Sequence, residues 1–82
     1  MTTTRDNIRN WLVRTEAKEA SHMLVVYDSF SRKDYPVYVK KRQDVREIAA
    51  RYDGKGMDYL MEVYNLSMDL EAQLAKLRSF NY

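Results

Sequence analysis

At 82 residues the chain is long enough for one domain, residues 1–82, and too short for two, since domains typically run to about 100–150 residues. The 45% hydrophobic and 32% charged residues are those of a folded globular domain, and the absence of cysteine excludes disulfides and thiolate metal sites. A net charge of only +2 is low for a dedicated nucleic-acid binder.

Residues 4–19 read as a first helix. Thr4 is an N-cap candidate, Asp6 suits the positive end of the helix dipole, and Ile8, Trp11, Leu12 and Thr15 fall on one helical face. Trp11, the only tryptophan, is expected to anchor this helix. Helical propensity falls at Ala20, Ser21 and His22. Met23–Phe30 reads as a strand whose nearly continuous apolar run points to cover on both faces. Residues 31–34 form a polar turn, and Tyr35–Val39 a second strand with Tyr35, Val37 and Val39 on one face. Pro36 removes a ladder donor and marks that strand as an edge. The two strands make a β-hairpin, which needs helices packed on it.

Asp44, with Glu47 three residues on, has the form of a capping box. It opens a helix with Val45, Ile48, Ala49 and Tyr52 on one face, stopped at Gly54. Met57, Leu60, Met61 and Tyr64 are spaced as a helical stripe. Ser67 is a further N-cap candidate, with Leu70, Leu74 and Leu77 beyond it. Residues 57–65 and 68–79 are therefore expected as two helices or one long one. The fold class expected is α+β: an N-terminal helix, a β-hairpin, then two to three C-terminal helices packed on the hairpin.

Few residues are suited to catalysis. His22 is the only histidine, and a strand-start imidazole is more often structural than a general base. The carboxylates Asp28, Asp34, Asp44 and Glu47 lack a metal-binding spacing, so neither metal nor cofactor is expected. Residues 53–56 read as a helix cap and turn rather than a phosphate loop. Enzymatic activity is accordingly not expected.

Charge is unevenly distributed. Residues 32–55 carry eight basic and four acidic side chains, and residues 56–82 two basic and four acidic. Lys40, Lys41, Arg42 and Arg46, with Arg32 and Lys33 in the hairpin turn, are candidates for holding phosphates, with Tyr35 and Tyr38 offering rings for stacking. The alternative is a solvated loop beside a lysine-protected edge strand. Five methionines and seven tyrosines exceed what so small a core needs, which leaves Tyr59, Phe80 and Tyr82 as outward-facing contact candidates.

Residues 23–30 followed by 34–39, then 44–47 and 61–74, resemble a group of small uncharacterised proteins of bacteriophages and prophages over residues 22–75. The resemblance implies a phage–host setting and carries no catalytic residues. Members of that group have acidic hairpin turns, whereas residues 31–34 here are Ser-Arg-Lys-Asp. The function expected is non-catalytic binding that modulates a host protein, such as a defence factor. Arg32, Lys33, Tyr35 and Tyr38 are the expected contacts. The alternative is a nucleic acid or a signalling nucleotide held by Lys40, Lys41, Arg42 and Arg46. With no apolar run long enough for a membrane span and no signal peptide at the N-terminus, a cytoplasmic location in the host cell and no membrane partner are expected. So thin a core makes homodimerisation a further expectation.

Overall fold

A computed structural model describes residues 4–54, 56–76 and 78–82. The elements run α1 (Arg5–Leu12), α2 (Thr15–Lys18), β1 (Ala20–Asp28), β2 (Lys33–Lys40), α3 (Val45–Tyr52), β3 (Asp58–Asn65) and α4 (Leu70–Leu74). The fold is α+β, built on a three-stranded antiparallel sheet in the order β2-β1-β3.

β1 is the central strand, which accounts for its apolar run. Met23, Leu24, Val25 and Val26 are all buried, because both faces of a central strand are covered. On one face Met23 and Val25 pack with Ile8 and Leu12 of α1, Tyr64 of β3 and Leu74 of α4. On the other, Leu24 and Val26 pack with Val39, Val63, and Ile48 and Ala49 of α3. The helices therefore sandwich a three-stranded sheet rather than packing on a two-stranded hairpin. Trp11 packs against the first cluster, as its anchoring role requires. β2 lies at the edge with Pro36 opposite Val25, and Tyr35 and Val37 join Val39 on the α3 face.

α1 begins where expected. The Thr4 hydroxyl accepts from the Asn7 amide at 3.2 Å, and the Asn7 side chain accepts from the Thr4 amide at 3.0 Å. The helix stops at Leu12 rather than running to residue 19. Its apolar face is spent there, Thr15 is exposed, and the Trp11 carbonyl accepts from both the Arg14 amide at 3.3 Å and the Tyr38 hydroxyl at 2.7 Å. α3 keeps its expected start and stop: the Asp44 carboxylate accepts from the Arg46 amide at 3.0 Å, and Gly54 takes a left-handed φ of 74°. Glu47 does not close the expected box and instead pairs with Arg51 at 3.3 Å.

The main correction concerns residues 57–65, expected as helix and found as strand β3. The reason is a β-bulge. Val25 faces Glu62 while Val26 faces Leu60, leaving Met61 as the extra residue. The bulge shifts the phase of the alternation. Leu60 and Val63 reach the α3 face, while Met61 and Tyr64 reach the α1 face, and this pattern imitates the i, i+3, i+4 spacing of a helix. The last helix is correspondingly shorter than expected. Asp69, not Ser67, caps α4 by accepting from the Glu71 and Ala72 amides at 3.0 and 3.4 Å. Leu77, expected on its apolar stripe, lies outside the described residues, as does Lys55 of the 53–56 turn. Beyond α4 the chain returns along the outer edge of β3. Val63 donates to Ser79 at 2.8 Å and accepts from Asn81 at 3.0 Å, in a parallel bridge to Phe80, so this edge is covered.

At the centre of the α1 face an ionic clamp joins the chain's first helix to its last segment. Glu62, only 6% exposed, accepts from Arg5 at 2.8 Å and from the Tyr64 hydroxyl at 2.9 Å. Arg5 also donates to the Lys76 carbonyl at 2.7 Å. Burial, with the Glu62 carboxylate beside it, pushes the Tyr64 hydroxyl well above its usual pKa.

Candidate functional site: the two ends of the sheet

The sequence-expected basic residues do not form one patch. β2 starts at Lys33 and ends at Lys40, and at about 3.3 Å per residue those ends are about 23 Å apart. Arg32 and Lys33 therefore sit at the turn end of the sheet, and Lys40, Lys41, Arg42 and Arg46 at the other.

At the turn end, β1 and β2 are joined by residues 29–32. The Asp28 carboxylate accepts from the Phe30 amide at 3.0 Å and from the Ser31 hydroxyl at 2.9 Å, an Asx-type turn. The Ser31 bond is the main cause that lowers the Asp28 pKa. Ser29 ties the turn to the loop before β3, donating from its amide and hydroxyl to the Met57 carbonyl at 2.8 and 2.9 Å. Three large apolar side chains are left in solvent here: Phe30 at 81%, Met57 at 56% and Tyr59 at 48% exposed. Arg32 and Lys33, both exposed, follow Phe30 in the chain. Arg32 holds a φ of 58°, the only left-handed non-glycine among the described residues. That conformation costs a residue with a Cβ about 1 kcal/mol relative to glycine.

Tyr35 and Tyr38, expected beside Arg32 and Lys33, serve the interior. Tyr35 donates to Asp58 at 3.1 Å and meets Tyr52 edge-on with ring centroids 6.5 Å apart. Burial, then the Asp58 carboxylate, pushes its hydroxyl up to about 12. Tyr38 lies on the opposite face against the α1 cluster. Of the outward-facing candidates, Tyr59 belongs to the turn end, while Phe80 and Tyr82, at 47% and 39% exposed, lie on the C-terminal segment. Sequence reasoning missed Phe30 and Met57 because one was assigned to a strand and the other to a helical stripe.

At the opposite end, the pairing Ala20 with Lys40 and His22 with Asn65 brings three distant segments around a pocket of about 530 Å³. Lys18, Ser21, His22, Lys41, Asn65 and Ser67 supply its polar lining, and Ala17, Ala20 and Leu66 its apolar wall. The β1–β2 register shifts between Ala20 and His22, so Ser21 is bulged, and its carbonyl accepts from the Leu66 amide at 3.0 Å. The Ser21 hydroxyl and His22 Nδ1 share a hydrogen bond of 2.8 Å. His22 Nε2 is buried without a partner in hydrogen-bond geometry. Burial lowers the His22 pKa, opposed by hydrogen bonding to the Tyr82 backbone. Gln73 fixes Asn65 from below, accepting from its amide at 2.8 Å and donating to its carbonyl at 2.9 Å.

Lys40, Lys41 and Arg42 are exposed around this pocket, with Lys41 in its wall. Arg46 is engaged elsewhere, stacked 4.5 Å from the centre of the Tyr82 ring. Nothing in the sequence announces this pocket, because Lys18, Lys41 and Ser67 meet only through strand pairing.

Among the described residues no group of His, Asp or Glu side chains is placed to hold a metal ion, and no helix is long and apolar enough to cross a membrane. No protein-family model matches the chain, and neither does any curated protein or solved structure.

Proposed function

We propose that the protein is a non-catalytic binding module that docks the turn end of its sheet onto another protein, a host protein in the phage setting implied by the sequence resemblance. The observation that carries this reading is Phe30. It is 81% exposed on a turn whose backbone is held by Asp28 and stapled to Met57. An aromatic side chain exposed on a hydrogen-bonded turn, with a methionine and a tyrosine at the same end, has the composition of an interface centre. Arg32 and Lys33 supply a cationic rim, so the partner surface that fits is an apolar pocket bordered by carboxylates. The left-handed Arg32 adds support, because strain is kept where a side chain is used.

The test is site-specific photocrosslinking in host lysate, with the crosslinker at position 30, 59 or 80. The expected result is one crosslinked protein shared by positions 30 and 59, absent from position 80, resistant to nuclease and lost from position 59 when Phe30→Asp is added. Crosslinks that are nuclease-sensitive, or equal at position 80, overturn the reading.

A further inference from the structure

The pocket at the basic end is separate from the proposed docking surface and has its own chemistry. Its volume of about 530 Å³ falls within the roughly 300–1,000 Å³ usual for small-molecule sites. Two ammonium groups, Lys18 and Lys41, stand in its wall with no Asp or Glu among the lining residues. Neither lysine takes part in an ion pair among the described residues. Asn65 Oδ1 is taken by the Ser67 amide at 3.0 Å and hydroxyl at 2.7 Å, which leaves the Asn65 amide nitrogen as its unengaged donor end. His22, whose Nε2 is buried without a partner in hydrogen-bond geometry, also lines the pocket. The Ser21 bulge turns the strand at this spot, and bulges recur where a strand re-aims side chains toward a site.

We propose that this pocket binds a small phosphate-bearing ligand, with Lys18 and Lys41 pairing with the phosphate oxygens and the Asn65 amide donating to them. Two cations supply the charge that a phosphate dianion requires, and a concave donor-rich wall without carboxylates selects against cationic ligands. The apolar wall of Ala17, Ala20 and Leu66 gives the rest of the ligand a surface to pack on. A free small molecule fits the concave pocket better than a nucleic-acid strand. A strand would need a continuous basic track, and the other basic group, Arg32 and Lys33, is about 23 Å away along β2.

The experiment is an amide-resolved NMR titration of the whole chain with inorganic phosphate, with AMP, and with adenosine as the uncharged control. Phosphate and AMP are expected to give saturable shifts at Lys18, Ser21, His22, Lys41 and Ser67, while adenosine gives none. The double variant Lys18→Glu, Lys41→Glu changes two exposed side chains, so it folds, and it is expected to weaken binding more than about tenfold, a loss of about 1.4 kcal/mol. Lys33→Glu at the other end is expected to leave binding unchanged. Equal affinity for phosphate and AMP means that only the phosphate is read, and tighter AMP binding means that the apolar wall also reads the nucleoside; either supports the site. The proposal is overturned by an absence of saturable shifts, by adenosine matching AMP, or by Lys33→Glu weakening binding as much as the double variant.

Discussion

Where β1 and β2 meet in their turn, the sheet ends in Phe30, Met57 and Tyr59, all large, apolar and exposed. Where β2 runs out at Lys40, it ends in Lys18, Lys41, His22 and two serines around an open pocket. The same strands build both ends. The difference shows how strand geometry sorts a mixed sequence. A charge-rich stretch spanning residues 32–46 is contiguous in the chain, but an eight-residue strand separates its parts by about 23 Å. Conversely, Phe30 and Met57 are 27 positions apart in sequence, yet Ser29 ties their backbones together. Each end depends on the shared middle of the sheet, and the two differ in strain and in titratable groups. Those three properties supply the tests.

The largest effect is expected from breaking the middle. Removing the Glu62 carboxylate takes away its 2.8 Å ion pair with Arg5, while the Arg5 hydrogen bonds to Tyr64 and the Lys76 carbonyl remain. Breaking a buried pair from one side costs about 3–5 kcal/mol. Arg5 keeps 34% of its side chain in water, which reduces the expected loss for Glu62→Ala to about 2 kcal/mol. In a domain of this size that lowers Tm by about 8–16 °C. Thermal unfolding followed by circular dichroism reads it. Glu71→Ala, which breaks the exposed Arg9–Glu71 pair of 2.8 Å, is expected to cost much less, because water already solvates both groups. Equal losses from the two variants would show that the clamp is no more buried in effect than a surface pair. Both ends would then have to be held by apolar packing alone.

The strand that carries Glu62, β3, is also where the sequence was least readable. α3 could be placed because its signals are local: Asp44 caps, Gly54 stops, and the apolar face repeats every three to four residues. β1 and β2 were visible for the same kind of reason, down to Pro36 on an edge. β3 was not, because the bulge at Met61 changes which face each residue meets, and a bulge is stabilised by its partner strand rather than by its own residues. The C-terminal segment along β3 left no signal either, since Val63 holds it through backbone groups that every residue shares. At the sites, exposed Arg32, Lys33, Lys40 and Lys41 could be named from charge. Their division between two ends follows from the length of β2, whereas the pocket that Lys41 joins needed the register. Tyr35 and Tyr38 were drawn inward by hydrogen-bond acceptors, Asp58 and the Trp11 carbonyl, that only the folded chain brings near.

A smaller effect, opposite in sign, is expected at the turn. Arg32→Gly relieves a side chain held at φ 58°. Part of that gain is offset by the added freedom of glycine in the unfolded chain, so a net stabilisation of about 0.5 kcal/mol is expected, raising Tm by about 2–4 °C. If Arg32 contributes to the docking rim, the same variant captures less partner although it is the more stable protein, a trade found where strain serves function. Greater stability with undiminished crosslinking from position 30 would remove Arg32 from the interface while leaving Phe30 in it.

The smallest effect separates the ends by pH. Burial holds the folded His22 pKa below its usual 6.5, so the unfolded chain takes up a proton more readily than the folded one. The stability associated with the neutral ring is therefore complete above pH 6.5 and declines as pH falls through 6.5 toward the folded value. Asp28 and Glu71, whose pKa values are lowered from 3.8 and 4.5, lose their contributions only in more acid solution. Urea unfolding between about pH 7.5 and 5.5 is thus expected to show a modest loss that His22→Gln removes and Phe30→Asp leaves in place. A decline that survives His22→Gln would place the responsible proton elsewhere, and the two ends would no longer differ in their response to pH.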